Sequence, residues 1–367
     1  MEDTRFMRMA LELAQRGCGR TNPNPMVGAV IVKDGRVIGQ GYHDHYGGLH
    51  AERVALQSCT ESPRGAVLYV TLEPCCHFGR QPPCTDAILE AGIKRIVVGS
   101  SDPNPLVSGR GLTQLSSGGV QVKTGFLQAE CDALNPVFFH FICTGTPYVT
   151  MKYAMTMDGK IATRTGASRW ITSETARQRV HAERGHYAAI MAGIGTVLTD
   201  DPLLTCRTEG GRNPLRVICD THLRIPLEGR IVRTASSVST VIAAGNGSNE
   251  KRKQLEAAGC QVWDMPMSDG HVDLRALMKR LGDEKIDSVL LEGGGALNWA
   301  ALEAGIVQKV QAYIAPKLFG GAAKTPVEGL GAALPEQAFL LKNTSVTALG
   351  EDFLLESEVV YDVHRNC

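Results

Sequence analysis

Thr71-Leu72-Glu73-Pro74-Cys75-Cys76-His77-Phe78-Gly79-Arg80-Gln81-Pro82-Pro83-Cys84 reads as a strand that runs out at a Glu-Pro-Cys corner, a loop, and a cysteine that begins the next helix. Upstream, His50-Ala51-Glu52 opens another helix directly behind the Gly47-Gly48 loop. His50, Cys75 and Cys84 are one imidazole and two thiolates, three soft or borderline ligands. Such a set leaves the fourth tetrahedral position for water, the mark of a catalytic zinc site, whose ion lowers the pKa of that water toward ~7. Glu52 lies two residues from His50 and so cannot share its ligand direction on a helix; it is predicted to carry the water's proton. The parts predict hydrolytic loss of an amine from an amidine-type carbon. Two duller readings stand beside this one. The cysteines could be buried apolar filler, or the zinc could be structural, which needs four protein ligands and gives Glu52 no task. Within the insert, Cys76 and His77 form a competing ligand pair that spacing alone does not exclude.

Outward from this stretch, helix and strand alternate. Phe6, Ala10 and Leu13 with Met7, Leu11 and Ala14 make a helical stripe, and Thr21-Asn22-Pro23-Asn24-Pro25 must be a loop. Residues 27–32 and 37–42 are strand-like and joined through Asp34-Gly35, a hairpin signal. Residues 67–71 and 96–99 are further strands. The pattern predicts an α/β sandwich with a largely parallel sheet after the initial hairpin. Thr144-Gly145-Thr146-Pro147 is the linker candidate, dividing the chain into 1–145 and 146–367. Beyond it, strands are expected at 148–153, 188–194, 215–219, 239–244, 288–291 and 308–314, with helices at 251–258 and 274–281. The second half is again α/β. No internal repeat links the halves, so two different domains are fused.

Composition narrows the function. The chain has 367 residues, 43% of them hydrophobic and 21% charged, ordinary globular values that exclude disorder. Lys plus Arg and Asp plus Glu both number 38, with 13 of each sign up to Gly145 and 25 of each after it. Neither half carries the basic footprint of a nucleic-acid binder, so a small-molecule substrate is expected. Eleven cysteines are an odd number in a long chain, unlike a secreted disulfide scaffold. Cys18, Cys59, Cys131, Cys143, Cys219 and Cys260 are expected to be buried filler. Residues 1–8 carry charges without an apolar core, and no apolar run approaches the ~20 residues of a membrane helix. A cytoplasmic protein with no membrane partner is expected, and a homo-oligomer, as is common for neutral α/β enzymes of this size.

In the second half one phosphate signal stands out. Ser288-Val289-Leu290-Leu291-Glu292 is a strand, Gly293-Gly294-Gly295 follows, and residues 296–304 form a helix. Glycines at a strand-to-helix turn let backbone N–H groups approach a pyrophosphate, although a tight structural turn looks the same in sequence. Trp170, one of three tryptophans, either flanks a cofactor or fills the core.

The His-x-Glu and Pro-Cys elements follow the layout of zinc nucleobase deaminases, except that eight residues rather than two separate Cys75 from Cys84. Asn24-Pro25-Met26-Val27-Gly28-Ala29-Val30, the zinc motifs with that insert, and Asp102-Pro103-Asn104-Pro105 together resemble the RibD family of bifunctional riboflavin-biosynthesis deaminase/reductases. So do Met157-Asp158-Gly159-Lys160-Ile161-Ala162, Ser168-Arg169-Trp170-Ile171-Thr172-Ser173, Gly195-Thr196-Val197 with Asp200-Asp201-Pro202, Leu203-Leu204-Thr205-Cys206-Arg207, Glu292-Gly293-Gly294 and Ala315-Pro316-Lys317. The resemblance implies a cytidine-deaminase-like α/β/α domain at 1–145 and a dihydrofolate-reductase-like α/β domain at 146–367. It implies zinc in the first and NADPH in the second. The first would deaminate a diamino-hydroxy-pyrimidine carrying a ribosylamino 5-phosphate, and the second would reduce the ribosyl chain to ribityl.

Carried over position by position, the resemblance places substrate at Asn24, His43, Arg80 and Asn104 in the first domain. Turn chemistry beside prolines is an equal reading of the two asparagines, and a surface histidine of His43. In the second domain Ala154, Trp170, Thr196, Asp200, Thr221, Gly293, Gly294 and Gly295 would hold NADPH. Ser168, Arg184, Leu204, Arg207 and Glu292 would hold substrate, the two arginines as phosphate clamps. Lys152 and Glu292 are the polar candidates near the reacting end. Two rivals remain at this point: a zinc deaminase for free nucleosides, guanine or a tRNA base, and a second domain that binds a nucleotide without catalysis.

Overall fold

The computed structural model describes residues 2–79, 81–104 and 107–361. The chain forms two compact units, Met1–Gly145 and Thr146–Cys367.

In the first unit α1 (Glu2–Gln15) precedes the hairpin β1 (Gly28–Lys33) and β2 (Arg36–Tyr42). Then follow α2 (Ala51–Gln57), β3 (Val67–Leu72), α3 (Cys84–Glu90), β4 (Arg95–Ser100), α4 (Arg110–Ser117), β5 (Gln121–Lys123), α5 (Gln128–Asp132) and α6 (Pro136–Thr144). The sheet order is β2-β1-β3-β4-β5. β1 pairs antiparallel with both β2 and β3, and β3, β4 and β5 are parallel. Asp34 and Gly35 turn the hairpin with φ of 48° and 73°, the positive values its tight turn requires. The stripe predicted on α1 is buried through Phe6, Met7, Ala10, Leu11, Leu13 and Ala14. That helix lies so close to β1 that a Cβ on Gly28 would fall 1.9 Å from the Ala10 carbonyl oxygen.

The second unit contains β6 (Tyr148–Thr156), α7 (Glu174–Arg184), β7 (Ala189–Gly193), α8 (Ile194–Asp200), β8 (Leu215–Cys219), α9 (Arg230–Arg233), β9 (Thr240–Ala244), α10 (Asn249–Ala257) and β10 (Gln261–Asp264). A small hairpin, β11 (Met267–Ser268) and β12 (His271–Val272), leads to α11 (Leu274–Asp283), β13 (Ser288–Leu291), α12 (Gly295–Glu303), β14 (Val307–Ala315), β15 (Leu340–Leu349) and β16 (Asp352–Val360). The main sheet runs β10-β9-β8-β7-β13-β6-β14-β16-β15. It is parallel as far as β14, and β16 and β15 are added antiparallel. α11 illustrates the local rules. Asp273 caps it by accepting the Arg275 and Ala276 N–H groups, and Leu274, Leu277, Met278 and Leu281 form its buried face. Each such side chain contributes roughly 1.5–3 kcal/mol on burial.

One expectation is corrected, and two features lie outside the sequence reading. Cys18 and Cys143 are exposed, not buried filler; both lie on short segments with little packed over them. The antiparallel pair β15–β16 is absent from the strands read in the sequence. β15 is exposed along nine of its ten residues, so it lacks the apolar alternation that marks a half-buried strand. Arg216, inside the strand expected at 215–219, is wholly buried. Its guanidinium donates to the Leu203, Ile231 and Val238 carbonyls and to the Thr234 and Thr240 hydroxyls. Burial lowers its pKa to about 10.

Candidate functional site

In the first unit, the ends of two helices and one strand converge. His50 is the N-cap of α2, Cys75 follows β3 in the loop after Pro74, and Cys84 is the first residue of α3. Their ligand atoms all lie within 4.8 Å of one another. His50 Nδ1 is 3.4 Å from each sulfur, Cys75 Sγ and Cys84 Sγ. Tetrahedral zinc with ordinary Zn–N and Zn–S bonds requires an N···S edge of roughly 3.6 Å, so the three residues fit the ion. Among the described residues this is the one such group, which resolves the competition in the insert: Cys76 and His77 are not part of it. The Cys84 N–H bonds the Cys75 carbonyl at 3.0 Å and lies 3.4 Å from its sulfur, tying the two cysteines together. The Cys84 hydrogen bond and His50 lower the Cys75 thiol to about 4, while Cys75 and burial raise that of Cys84.

Glu52 sits in the first turn of α2 and is buried, which raises its carboxyl pKa against the opposing pull of His50. His43 is buried beside His50, their rings 5.6 Å apart edge to face. Its Nδ1 lies 2.9 Å from the Leu49 carbonyl, which can only accept, so that nitrogen carries the proton. Nε2 is then free to accept from Asn24 Nδ2 at 3.1 Å. Burial lowers the His43 pKa and keeps the ring neutral. His43 is therefore no surface histidine, and Asn24 does more than turn the chain. Asn104 lies in the loop after β4, its N–H held by Asp102 Oδ1 at 2.8 Å. Arg80 lies outside the described residues.

Two side chains not anticipated from sequence hold these pieces. Arg53 donates to the Pro82 and Pro83 carbonyls at 3.3 and 2.8 Å, the backbone immediately before Cys84. Glu73 accepts the Asp102 and Gly109 N–H groups at 3.4 and 3.1 Å, holding the loop with Asn104. The available signal was adjacency: each neighbours a motif residue.

In the second unit Lys152, Arg184 and Glu292 gather toward the C-terminal ends of β6 and β13, where β13 is inserted between β7 and β6. Ligands of open α/β sheets bind at such edges. Lys152 lies on β6, Arg184 ends α7 and Glu292 follows β13. Arg184 Nε and Nη2 meet the two Glu292 oxygens at 2.7 and 2.8 Å, and Lys152 Nζ lies 3.7 Å from Glu292 Oε2. Burial pushes the Glu292 pKa up, but the two cations outweigh it and hold the carboxyl at about 2. Arg184 Nη1 is directed at the Thr205 carbonyl and His181 Nδ1. The Arg184 donors expected to clamp phosphate are thus engaged within the chain. Arg207 is exposed and close enough to His181 to join burial and Arg184 in lowering its pKa.

Ser168 Oγ donates to Asp200 Oδ1 at 3.2 Å, and Arg169 Nη2 to the Asp200 carbonyl. Trp170 is 61% exposed, with the Arg177 guanidinium 4.5 Å above its ring, so it does not fill the core. The triple glycine divides into two roles. A Cβ on Gly295 would fall 2.7 Å from the Thr325 carbonyl oxygen, so that glycine serves packing. A Cβ on Gly294 would meet only Thr196 Oγ1, at 3.3 Å, leaving an open backbone cradle. Beside it, Asn298 Oδ1 is buried without a partner, 2.9 Å from where a Gly293 Cβ would stand. The open cradle fits a phosphate at this turn, while the Asn298 oxygen, an acceptor, fits a donor such as a ribose hydroxyl. Leu204 is buried with φ of 52°, so it offers backbone rather than side chain. Ala154 packs beside Tyr313 and Val180. The Thr221 hydroxyl accepts the Val272 N–H at 3.2 Å, away from the glycine turn.

Family models match both units: "Cytidine and deoxycytidylate deaminase zinc-binding region" over residues 1–100, and "RibD C-terminal domain" over 147–355. The chain is similar to the riboflavin biosynthesis protein RibD of Actinobacillus pleuropneumoniae, 53% identical over 98% of this chain and 96% of the relative. That of Aquifex aeolicus is 41% identical over 96% and 97%. Among solved structures, Acinetobacter baumannii RibD superposes with a TM-score of 0.88 at 36% identity, covering 98% of this chain and 99% of that one. A Thermotoga maritima diaminohydroxyphosphoribosylaminopyrimidine deaminase/5-amino-6-(5-phosphoribosylamino)uracil reductase gives 0.85 at 37%, with the same coverage.

Proposed function

The chain belongs to the RibD family, and on that premise we infer that it is a bifunctional riboflavin-biosynthesis enzyme, deaminating a phosphoribosylated diaminopyrimidinone and then reducing its sugar. The observation that carries the first activity is the convergence of His50, Cys75 and Cys84 beside a buried carboxyl, Glu52. Zinc held by those three residues supplies a coordinated water acidic enough to ionise near neutral pH. Glu52, its proton affinity raised by burial, takes a proton on the attacking side and returns it to the departing amine. The neutral His43–Asn24 pair presents amide hydrogen-bonding groups to the pyrimidine edge. Arg80 and Asn104 complete the substrate contacts in this reading.

In the second unit NADPH supplies hydride, and the protein binds and orients the reactants. Gly293, Gly294 and Thr196 form the seat for its phosphates, with Trp170, Asp200, Ala154 and Thr221 as further contacts. Lys152, half-buried with Nζ 3.7 Å from Glu292 Oε2, is positioned to donate to the sugar end of the substrate. Ser168, Leu204, Arg207 and Arg184 line the same side, Arg184 acting chiefly to orient Glu292. A half-buried Lys–Glu–Arg cluster with one net positive charge favours catalysis on an anionic substrate over a silent binding module, since a binding module has no need of a lysine held there.

The substrate is a small phosphorylated pyrimidine rather than a nucleic acid. No helix among the described residues is long and apolar enough to cross a membrane; we place the enzyme in the cytoplasm. We also expect a homo-oligomer. The outer edge strand β15 exposes Leu340, Leu341 and Val346, an edge that proteins usually cover. Light scattering on the purified chain tests that point. The function itself is tested by following NADPH oxidation with the undeaminated pyrimidine. Wild type oxidises NADPH, Glu52→Ala does not, and added deaminated intermediate restores the variant. Ammonia release without NADPH oxidation, even with the intermediate supplied, would refute the reductase assignment.

A further inference from the structure

Two loops at the edge of the second sheet grip one another by side chain to backbone. The loop after β6 carries Asp158, and the loop after β14 carries Lys317. Asp158 accepts the Phe319 N–H at 3.2 Å and the Gly320 N–H at 2.7 Å, and is steadied by the Thr156 hydroxyl. Lys317 Nζ donates in the other direction, to the Ile171 carbonyl at 2.7 Å and the Trp170 carbonyl at 3.3 Å. Backbone bonds from Met157 N to the Lys317 carbonyl and from Ile161 N to the Lys324 carbonyl join the same two loops. Asp158 and Lys317 lie outside the sheet's strands, so neither side chain belongs to the ladder. Around the crossing, Met157, Trp170 and Leu318 stand exposed, three large apolar side chains that the fold does not use for its core.

We propose that Asp158 and Lys317 are positioning residues of the reductase: their crossed grips fix the Trp170 segment, through its carbonyl, in the place where the indole receives NADPH. The proposal rests on the reading above that Trp170 contacts the cofactor. Trp170 needs such help. It is exposed, its ring is covered by one guanidinium, and its own backbone carbonyl is held by Lys317 alone among the contacts described. A loop fixed before binding does not have to be ordered by the ligand, which raises affinity without a new contact. Because each loop holds the other, loss of either grip loosens the shared crossing that the two backbone bonds alone then hold, and the two side chains act as one unit.

The experiment uses the full chain with NADPH as the probe. Its dissociation constant is read from energy transfer between tryptophan and the dihydronicotinamide, and kinetics separate KM for NADPH from kcat. Lys317→Met and Asp158→Asn are each expected to raise both Kd and KM for NADPH about tenfold, with kcat within about threefold of wild type. The double variant is expected to do no worse than the weaker single variant, and Lys317→Arg, which keeps a donor, to restore most of the affinity. The kcat near wild type checks that the second unit of each variant remains folded, and ammonia release does the same for the first unit. Wild-type NADPH affinity in Lys317→Met overturns the proposal, as do singles whose effects simply add. If Trp170→Ala leaves NADPH affinity unchanged, or wild type fails to bind NADPH, it is the underlying reading that fails.

Discussion

Arg184 and Glu292 meet at two points, Nε to Oε1 at 2.7 Å and Nη2 to Oε2 at 2.8 Å, although 108 residues separate them in the chain. The paired geometry of guanidinium and carboxylate fixes direction as well as distance. It turns the Glu292 carboxylate so that Oε2 also faces Lys152.

Glu292→Gln therefore leaves two largely enclosed cations, their side chains 12–13% exposed, without their counter-charge. Breaking such a pair costs about 3 kcal/mol. The variant is expected to melt earlier in the second unit and to lose reductase activity more than about 100-fold, while ammonia release stays near wild type. A calorimetric scan with separate assays of the two steps checks this. The pH dependence follows from the depressed carboxyl. Its folded pKa of about 2 lies below the ordinary 4.5, so its stabilisation is complete above pH 4.5 and is lost as pH falls toward 2. Glu292→Gln should remove that part of the acid destabilisation.

Glu52→Gln separates proton transfer from metal binding. The amide keeps the size of the side chain, and Glu52 is not among the three converging ligand residues. Zinc content should stay at one per chain while deamination falls about 10²–10⁴-fold. His50→Ala and Cys84→Ala should lose zinc itself. Metal analysis beside ammonia release distinguishes the two outcomes; loss of zinc in Glu52→Gln would make the carboxylate a ligand.

Arg53 holds the two carbonyls that precede Cys84. Removing a group that orients a ligand typically costs 10- to 100-fold in metal affinity. Arg53→Met should weaken zinc binding by about tenfold or more in competition with a chelator. Unchanged zinc affinity would show that the Cys75–Cys84 backbone bonds suffice.

Asp3 ties the start of α1 to the sheet through Tyr69, Arg95 and Lys123. Burial raises its pKa, but these partners outweigh that and hold it at about 2. The linked stability is present above the ordinary value of 3.8 and is lost between there and pH 2. Asp3→Asn should cost under about 1 kcal/mol at pH 7, as for partly exposed ion pairs. The difference from wild type should vanish near pH 2 in urea titrations.

Much of the first unit could be read directly. The hairpin at Asp34-Gly35, the stripe on α1 and the residues at each helix start are local features, set by backbone sterics and by periods of two and 3.6 residues. The zinc ligands were legible for the same reason, since each sits at an element's end that its neighbours mark. The second sheet was legible as far as its buried strands. β15 was not, because an exposed edge strand carries no apolar alternation and is defined by its partner; nor was β16, an inner strand whose Glu356-Ser357-Glu358 run breaks the apolar pattern.

What the sequence determined by itself was chemical type at marked places: an imidazole, two thiolates and a carboxylate at helix and strand ends, and glycines at a strand-to-helix turn. The tertiary structure decided which of these meet. It excluded Cys76 and His77 from the metal group, turned His43 inward against Asn24, and directed Arg184 to Glu292 instead of leaving it open for phosphate. It also brought Asp158 to the Phe319 and Gly320 N–H groups, and Lys317 to the Trp170 and Ile171 carbonyls. Local propensity acts over a few residues. Pairing between distant side chains depends on strand order and on which groups burial forces to find partners, and no short window of sequence contains either.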